Sequence, residues 1–205
     1  MLKEKEKNKF VTVYSCACIA FLVSAFIYNL VLPFCWGNNP FDTYGTISLL
    51  CEHRKPYFWA WAFLVGGGYF LNFRYMYSKF GYKSKLLDFS NIMMVLGVLG
   101  VALSLDHSIQ TWNAKRIIHW ATTILYIVFI GVSLLVFFIA NIKRDKVFIK
   151  LTAVCAGIVL LLALWFLVLG RSGMMEIVPN ALVMIFIFVI NFTPAVKLGK
   201  KGVNQ

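Results

Sequence analysis

Six long apolar runs separated by short Lys-rich gaps leave this chain few ways to fold. They cover about residues 10–32, 57–77, 89–105, 117–141, 147–169 and 174–192. A helix that crosses the hydrocarbon core of a bilayer needs about 20 mostly apolar residues, and each run is near that length. The other spanning architecture is a closed barrel, whose strands are short and alternate in polarity. Here Ile124–Ile139 is apolar on every face, so the pattern predicts helix. The expected fold is all-α: a polytopic membrane helix bundle with six transmembrane helices, one integral membrane domain over residues 1–205. Composition agrees. The chain is 60% hydrophobic and 14% charged, whereas a soluble domain is about half apolar and about a quarter charged. So few charges cannot clothe the apolar surface of a soluble domain, and the apolar content excludes a disordered chain.

The net charge of +12 invites a nucleic-acid reading, but the position of the charges gives a different one. Cytoplasmic loops carry an excess of Lys and Arg. Alternating the loops puts Lys3, Lys5, Lys7, Lys9, Arg74, Lys79, Lys83, Lys85, Lys143, Arg144, Lys146, Lys150, Lys197, Lys200 and Lys201 on one side. Only Arg54, Lys55, Lys115, Arg116 and Arg171 fall on the other. Both termini are therefore expected in the cytoplasm, and the long 33–56 connection on the opposite side as an outer loop. No nucleic-acid partner is expected. The first run reads as a retained helix and not a signal peptide, since Asn29-Leu30-Val31-Leu32-Pro33 offers no small-x-small cleavage site. The basic side sets topology and attracts anionic headgroups.

Chemistry has few candidates. Cys35 and Cys51 share the outer loop, where an oxidising compartment would let them close a disulfide; the alternative is two free thiols. Cys16, Cys18 and Cys155 lie inside spans and read as small packing residues. No cofactor is expected: a b-type haem would need facing His pairs, and of His53, His107 and His119 only the last lies in a span. Zinc-ligand spacing is also missing, so no metal is expected. The carboxylates say more. His119 and Glu176 fall at a similar depth near the outer ends of the fourth and sixth spans, and Asp106 and His107 cap the third. Asn180 shares a helix face with Glu176, and Pro179 loosens the backbone between them. Ionisable groups in a membrane usually face the bundle interior or water. His119, Glu176, Asn180, Asp106 and His107 are therefore candidate ligand-binding residues in an outer-face polar pocket. Catalytic candidates are limited to His119, Glu176 and Asp106, with no residue committed. The alternative is hydration or local pairing with Arg116 or Arg171 at the interface. No Gly-x-Ser-x-Gly supports Ser48, Ser104, Ser108 or Ser172 as a nucleophile.

The remaining features read as structural. Gly66-Gly67-Gly68, Gly97 and Gly100 let helices approach closely. Tyr57, Phe58, Trp59, Trp61, Tyr75, Tyr77, Trp112 and Trp120 lie near span ends and read as interfacial belts. Asn191-Phe192-Thr193 matches a glycosylation sequon but falls at the cytoplasmic end.

Ile47-Ser48 and Pro56 around the outer loop, the Gly-rich helix Val95-Leu96-Gly97-Val98-Leu99-Gly100-Val101-Ala102-Leu103-Ser104, His119 and Glu176 together resemble the DRAM/Sfk-type family of small six-helix membrane proteins. The glycine that family places between the Ser and the Pro is absent, since none occurs from Leu49 to Lys55. The resemblance spans residues 25–195. It implies a non-enzymatic membrane protein linked to trafficking, lipid organisation or regulation. Three functions follow from the sequence. The first is a non-enzymatic, lipid-associated regulatory or assembly subunit. The second is a membrane-embedded lipid-modifying enzyme with an outer-face polar site. The third is a small transporter or channel, disfavoured by the scarcity of charge at mid-membrane. The expected partners are membrane lipids, then other membrane subunits or a second copy of the chain.

Overall fold

A computed structural model describes residues 2–42, 45–105, 113–169, 172–194 and 196. Among them every regular element is helical. The long helices are α1 (Leu2–Val31), α3 (Lys55–Lys79), α4 (Lys85–Leu103), α5 (Ala114–Asn141), α6 (Val147–Leu169) and α7 (Met174–Phe192). A 3-10 segment, Leu32–Gly37, continues α1, and the single turn α2 (Ile47–Leu50) lies in the long loop. Among the described residues, four stretches are long and apolar enough to cross a membrane: Val11–Gly37, α4, α5 and α7.

The apolar runs mark the helices but not their ends. α1 begins at Leu2, not near residue 10, and α4 runs Lys85–Leu103 instead of 89–105. Hydropathy marks where lipid would begin, whereas backbone hydrogen bonding continues into the charged flanks. Pro56 stands in the first turn of α3, where its missing N–H has no helical partner to lose. Asn113 caps α5 by accepting from the Arg116 N–H at 2.8 Å. Asp145 does the same for α6 through the Val147 N–H at 2.9 Å.

α3 is the central helix, packed against α1, α4 and α7. Phe58, Trp61, Val65, Tyr69, Phe73 and Met76 recur at helical spacing and are all buried. Being enclosed, it can carry polar groups whose partners come from neighbours, so it is less apolar than the four spanning stretches. Asn72 donates to the carbonyls of Cys18 at 2.9 Å and Gly68 at 2.8 Å. Asn191 of α7 donates to the Asn72 carbonyl at 3.0 Å. Phe58, Trp61 and Tyr77 are thus core residues, not interfacial belt; Tyr57 and Trp59 do face outward. The Trp61 indole donates to Asn29 Oδ1 at 3.2 Å, and Asn29 in turn donates to the Ile177 carbonyl at 3.1 Å. These amides bind α1, α3 and α7 together.

Glycine sets the helix spacing. A Cβ on Gly66 would meet Val98 of α4 at 3.4 Å, and one on Gly68 would meet Ala25 of α1 at 3.5 Å. The closest approach is α4 on α5, where Gly97 lies against the backbone of Tyr126. Opposite the long loop, Phe80, Phe137, Phe138 and Phe148 pack edge to face or tilted, with centroids 5.3–6.3 Å apart. Helix ends are tied there by cations: Lys79 donates to the carbonyls of Ile190 at 2.9 Å and Asn191 at 2.7 Å, and Arg144 to Phe80 at 2.6 Å. Burial lowers the Lys79 pKa from its usual value. The Arg74–Asp88 pair at 3.2 Å is about half exposed on both sides, so it contributes at most about 1 kcal/mol.

Candidate functional site

Glu176 is in the first turn of α7, at the end of the bundle that carries the long loop. Its Oε2 accepts the Ile47 N–H at 2.8 Å, the first N–H of α2. The Met174 N–H donates to the Pro40 carbonyl at 3.0 Å beside it. Gly45 and Gly173 are pressed together there; a Cβ on Gly173 would fall 2.2 Å from the Gly45 carbonyl oxygen. The loop is thus strapped to the start of α7, and Glu176 holds the strap. Ser48, one residue further on, is buried beneath it.

One turn below, Asn180 closes a second junction. Its Nδ2 donates to the Glu176 carbonyl at 2.8 Å, and Pro179 stands inside the helix at this point. Its Oδ1 accepts from Tyr69 Oη of α3 at 3.0 Å and from Tyr126 Oη of α5. Tyr69 Oη also lies 3.0 Å from the Asn180 carbonyl. α3, α5 and α7 therefore meet on a single buried amide.

His119 enters from α5 and is 5% exposed. Its Nδ1 is 3.3 Å from Ser104 Oγ. The Ser104 hydroxyl donates to the Gly100 carbonyl at 2.7 Å. With its proton spent there, the serine oxygen accepts from His119, which assigns the hydrogen to Nδ1.

These groups share a cavity of about 320 Å³. Ser48, His119, Glu176 and Asn180 lie at its loop end, with the Tyr126 hydroxyl below. Apart from Thr123 the rest is mostly apolar, with Val98, Ile130, Leu134, Val183 and Phe186 among its walls. α6 supplies Cys155, Ile158 and Val159. Ile127 of α5 and Val159 of α6 line it while remaining 57% and 58% exposed, so the cavity reaches the surface between these two helices. From His119 to Leu134 is 15 residues, or about 22 Å of helix rise. A mostly apolar chamber with a few polar groups gathered at one end is the usual form of a small-molecule site.

The structure thus brings His119, Glu176 and Asn180 onto one cavity; Asp106 and His107 lie outside the described residues, as does Arg171. No group of three or more metal-ligating side chains gathers among the described residues. Cys35 and Cys51 are both free thiols. Cys35 is half-buried and lies 3.6 Å from the Val31 carbonyl; Cys51 is buried at the end of α2. Burial, together with the nearby Glu176, pushes the Cys51 thiol up to about 11 against the favourable pull of Arg54. Sequence reasoning missed Tyr69, Tyr126, Asn29 and Asn72. Their signal was a polar atom inside an apolar run, which a search for ionisable groups passes over.

No family model, curated protein or solved structure matches the chain. Fold and site therefore define its class by themselves. It is a helical membrane protein, with four stretches among the described residues fit to cross a bilayer and a polar-ended apolar cavity inside the bundle.

Proposed function

We propose that the chain is a six-span integral membrane protein with cytoplasmic termini, non-enzymatic, which associates with lipid and serves as a regulatory or assembly subunit. The observation that carries this reading is the engagement of Glu176. The acidic group in the cavity braces a backbone N–H of the loop. A general base needs its lone pair aimed at substrate; a brace needs only a hydrogen-bond acceptor. Six spans are supported by length: α3 has 25 residues and α6 has 23, about 37 and 35 Å of rise against a core of about 30 Å. The DRAM/Sfk-type resemblance supports the same reading, and its loop Ile47-Ser48 and acidic Glu176 meet at one hydrogen bond. The aromatic cluster of Phe80, Phe137, Phe138 and Phe148 beyond Leu134 weighs against a through-going transport path.

Substitution at Glu176 separates brace from base. Glu176→Gln keeps an acceptor for the Ile47 N–H, so amide exchange of 47–51 stays slow and partner or lipid co-purification is unchanged. Glu176→Ala frees the loop, and those amides exchange at least tenfold faster. Incubation with membrane lipid extracts leaves every lipid mass unaltered. Turnover of a lipid by the wild type, abolished in Glu176→Gln, would instead establish the enzyme reading.

Topology is tested with the loop thiols. A membrane-impermeant maleimide added outside intact cells labels Cys35, which is half-buried. At neutral pH it leaves Cys51 unlabelled, because that thiol is buried and stays protonated until pH nears 11. Labelling of Cys35 only after permeabilisation would reverse the assigned orientation.

A further inference from the structure

We propose that the loop joining α3 to α4 and the loop joining α5 to α6 together hold the head of an anionic phospholipid. They lie at the end of the bundle opposite the long loop, the end assigned above to the cytoplasm. This rests on the membrane reading above and adds the class of lipid and the surface that takes it.

Two sets of contacts bring the loops together. The Arg144 guanidinium donates to the Phe80 carbonyl at 2.6 Å. Phe148 of α6 packs on Phe80 with centroids 5.7 Å apart, and Phe137 packs on both Phe148 and Tyr82. Residues 80–89 and 142–150 carry six cations, Lys83, Lys85, Lys143, Arg144, Lys146 and Lys150, against two carboxylates, Asp88 and Asp145. All six cations are exposed.

Both carboxylates are already engaged. Asp88 pairs with Arg74 at 3.2 Å, and Asp145 Oδ1 accepts the Val147 N–H at 2.9 Å. None of the five lysines has a hydrogen bond or ion pair among the described residues. Arg144 donates to a neutral carbonyl and keeps its charge. Lys85 opens α4, and Lys146 and Lys150 flank the first residues of α6. The positive end of a helix dipole disfavours a cation there, so helix stability does not account for these lysines. An anion held among them relieves their repulsion from one another and from the helix ends.

Position selects a lipid over a soluble anion. Leu86 and Phe89, beside Lys85, are 50% and 51% exposed, and Ile149, beside Lys150, is 50% exposed. The cations therefore stand where apolar helix surface begins. A phosphate at headgroup height meets the ammonium groups, and the acyl chains of the same molecule lie on Leu86, Phe89 and Ile149. A soluble anion gains only the first of these contacts.

The test places the full chain in phosphatidylcholine nanodiscs with a trace of photoactivatable lipid, its diazirine on an acyl chain close to the head. Phosphatidylglycerol is expected to crosslink within residues 82–92 and 146–154 at least tenfold more than phosphatidylcholine. The triple variant Lys83→Gln, Lys143→Gln, Lys146→Gln is expected to bring that signal down to the phosphatidylcholine level at an unchanged melting temperature. Arginine at the same three positions keeps the charge and keeps the signal. Soluble glycerophosphoglycerol in large excess leaves labelling unchanged; displacement by it would overturn the choice of a lipid. Equal labelling by the two lipids, or undiminished labelling of the glutamine variant, overturns the proposal and leaves the membrane reading standing. Labelling of the helices by neither lipid would overturn both.

Discussion

Gly97→Leu is expected to yield almost no folded protein. The reason lies in the contact between α4 and α5. A Cβ on Gly97 would stand 2.7 Å from the Tyr126 backbone nitrogen and 2.9 Å from its Cα. No rotamer change relieves a clash with backbone, so the helices must separate. Overpacking of a well-filled core costs about 1–3 kcal/mol and occasionally more, against a total stability of about 5–15 kcal/mol. Gly97→Ala lies in that range; Leu adds three carbons to the same collision and exceeds it. Displacing Tyr126 also draws its hydroxyl from Asn180, so the amide junction of three helices fails with the packing. Gly131→Ala is the matched control on α5. Its methyl enters open space, and a helix gains up to about 1 kcal/mol when Ala replaces Gly. Detergent-extracted variants compared by size exclusion and thermal unfolding decide the matter. A monodisperse Gly97→Leu with the wild-type melting temperature would show that α4 and α5 do not pack as described.

The helices were legible in the sequence because a long apolar run admits no other spanning structure, and the 147–169 and 174–192 limits coincide with α6 and α7. What sits on which face of a helix was less so. Tyr57, Phe58, Trp59 and Trp61 share a place along the helix axis, and position alone made all four interfacial. Yet Phe58 and Trp61 are three residues apart and point inward, while Tyr57 and Trp59 flank Phe58 and point outward. The pairing of His119 with Glu176 at one depth could be read from helix rise. The partner of Glu176 could not, because it is a backbone N–H in a loop whose path follows from the fit of Gly45 against Gly173. The cavity itself was out of reach of sequence. It depends on space left beside Gly131 and on how lightly α6 leans on α5 and α7, which are properties of packing and not of pattern.

Asn180→Leu is the second substitution with a large expected effect, and its partner Tyr126→Phe shows why. Leucine keeps about the same volume but removes the acceptor that Tyr69 and Tyr126 share. Tyr69 retains the carbonyl of residue 180 at 3.0 Å; Tyr126, 5% exposed, loses the acceptor it has in Asn180. A buried donor without a partner costs about 1–3 kcal/mol. Tyr126→Phe alone leaves Asn180 bonded to Tyr69 and costs less, near the average of about 0.6 kcal/mol measured for interhelical hydrogen bonds in membrane proteins. In the double variant the stranded hydroxyl is gone. Its destabilisation falls below the sum of the single variants by about 1 kcal/mol, the non-additivity expected of residues in direct contact. Unfolding of the four proteins by denaturant in micelles measures this coupling. Strict additivity would mean that Tyr126 finds another acceptor when Asn180 is lost, and that the loop end of the cavity is not closed by this amide.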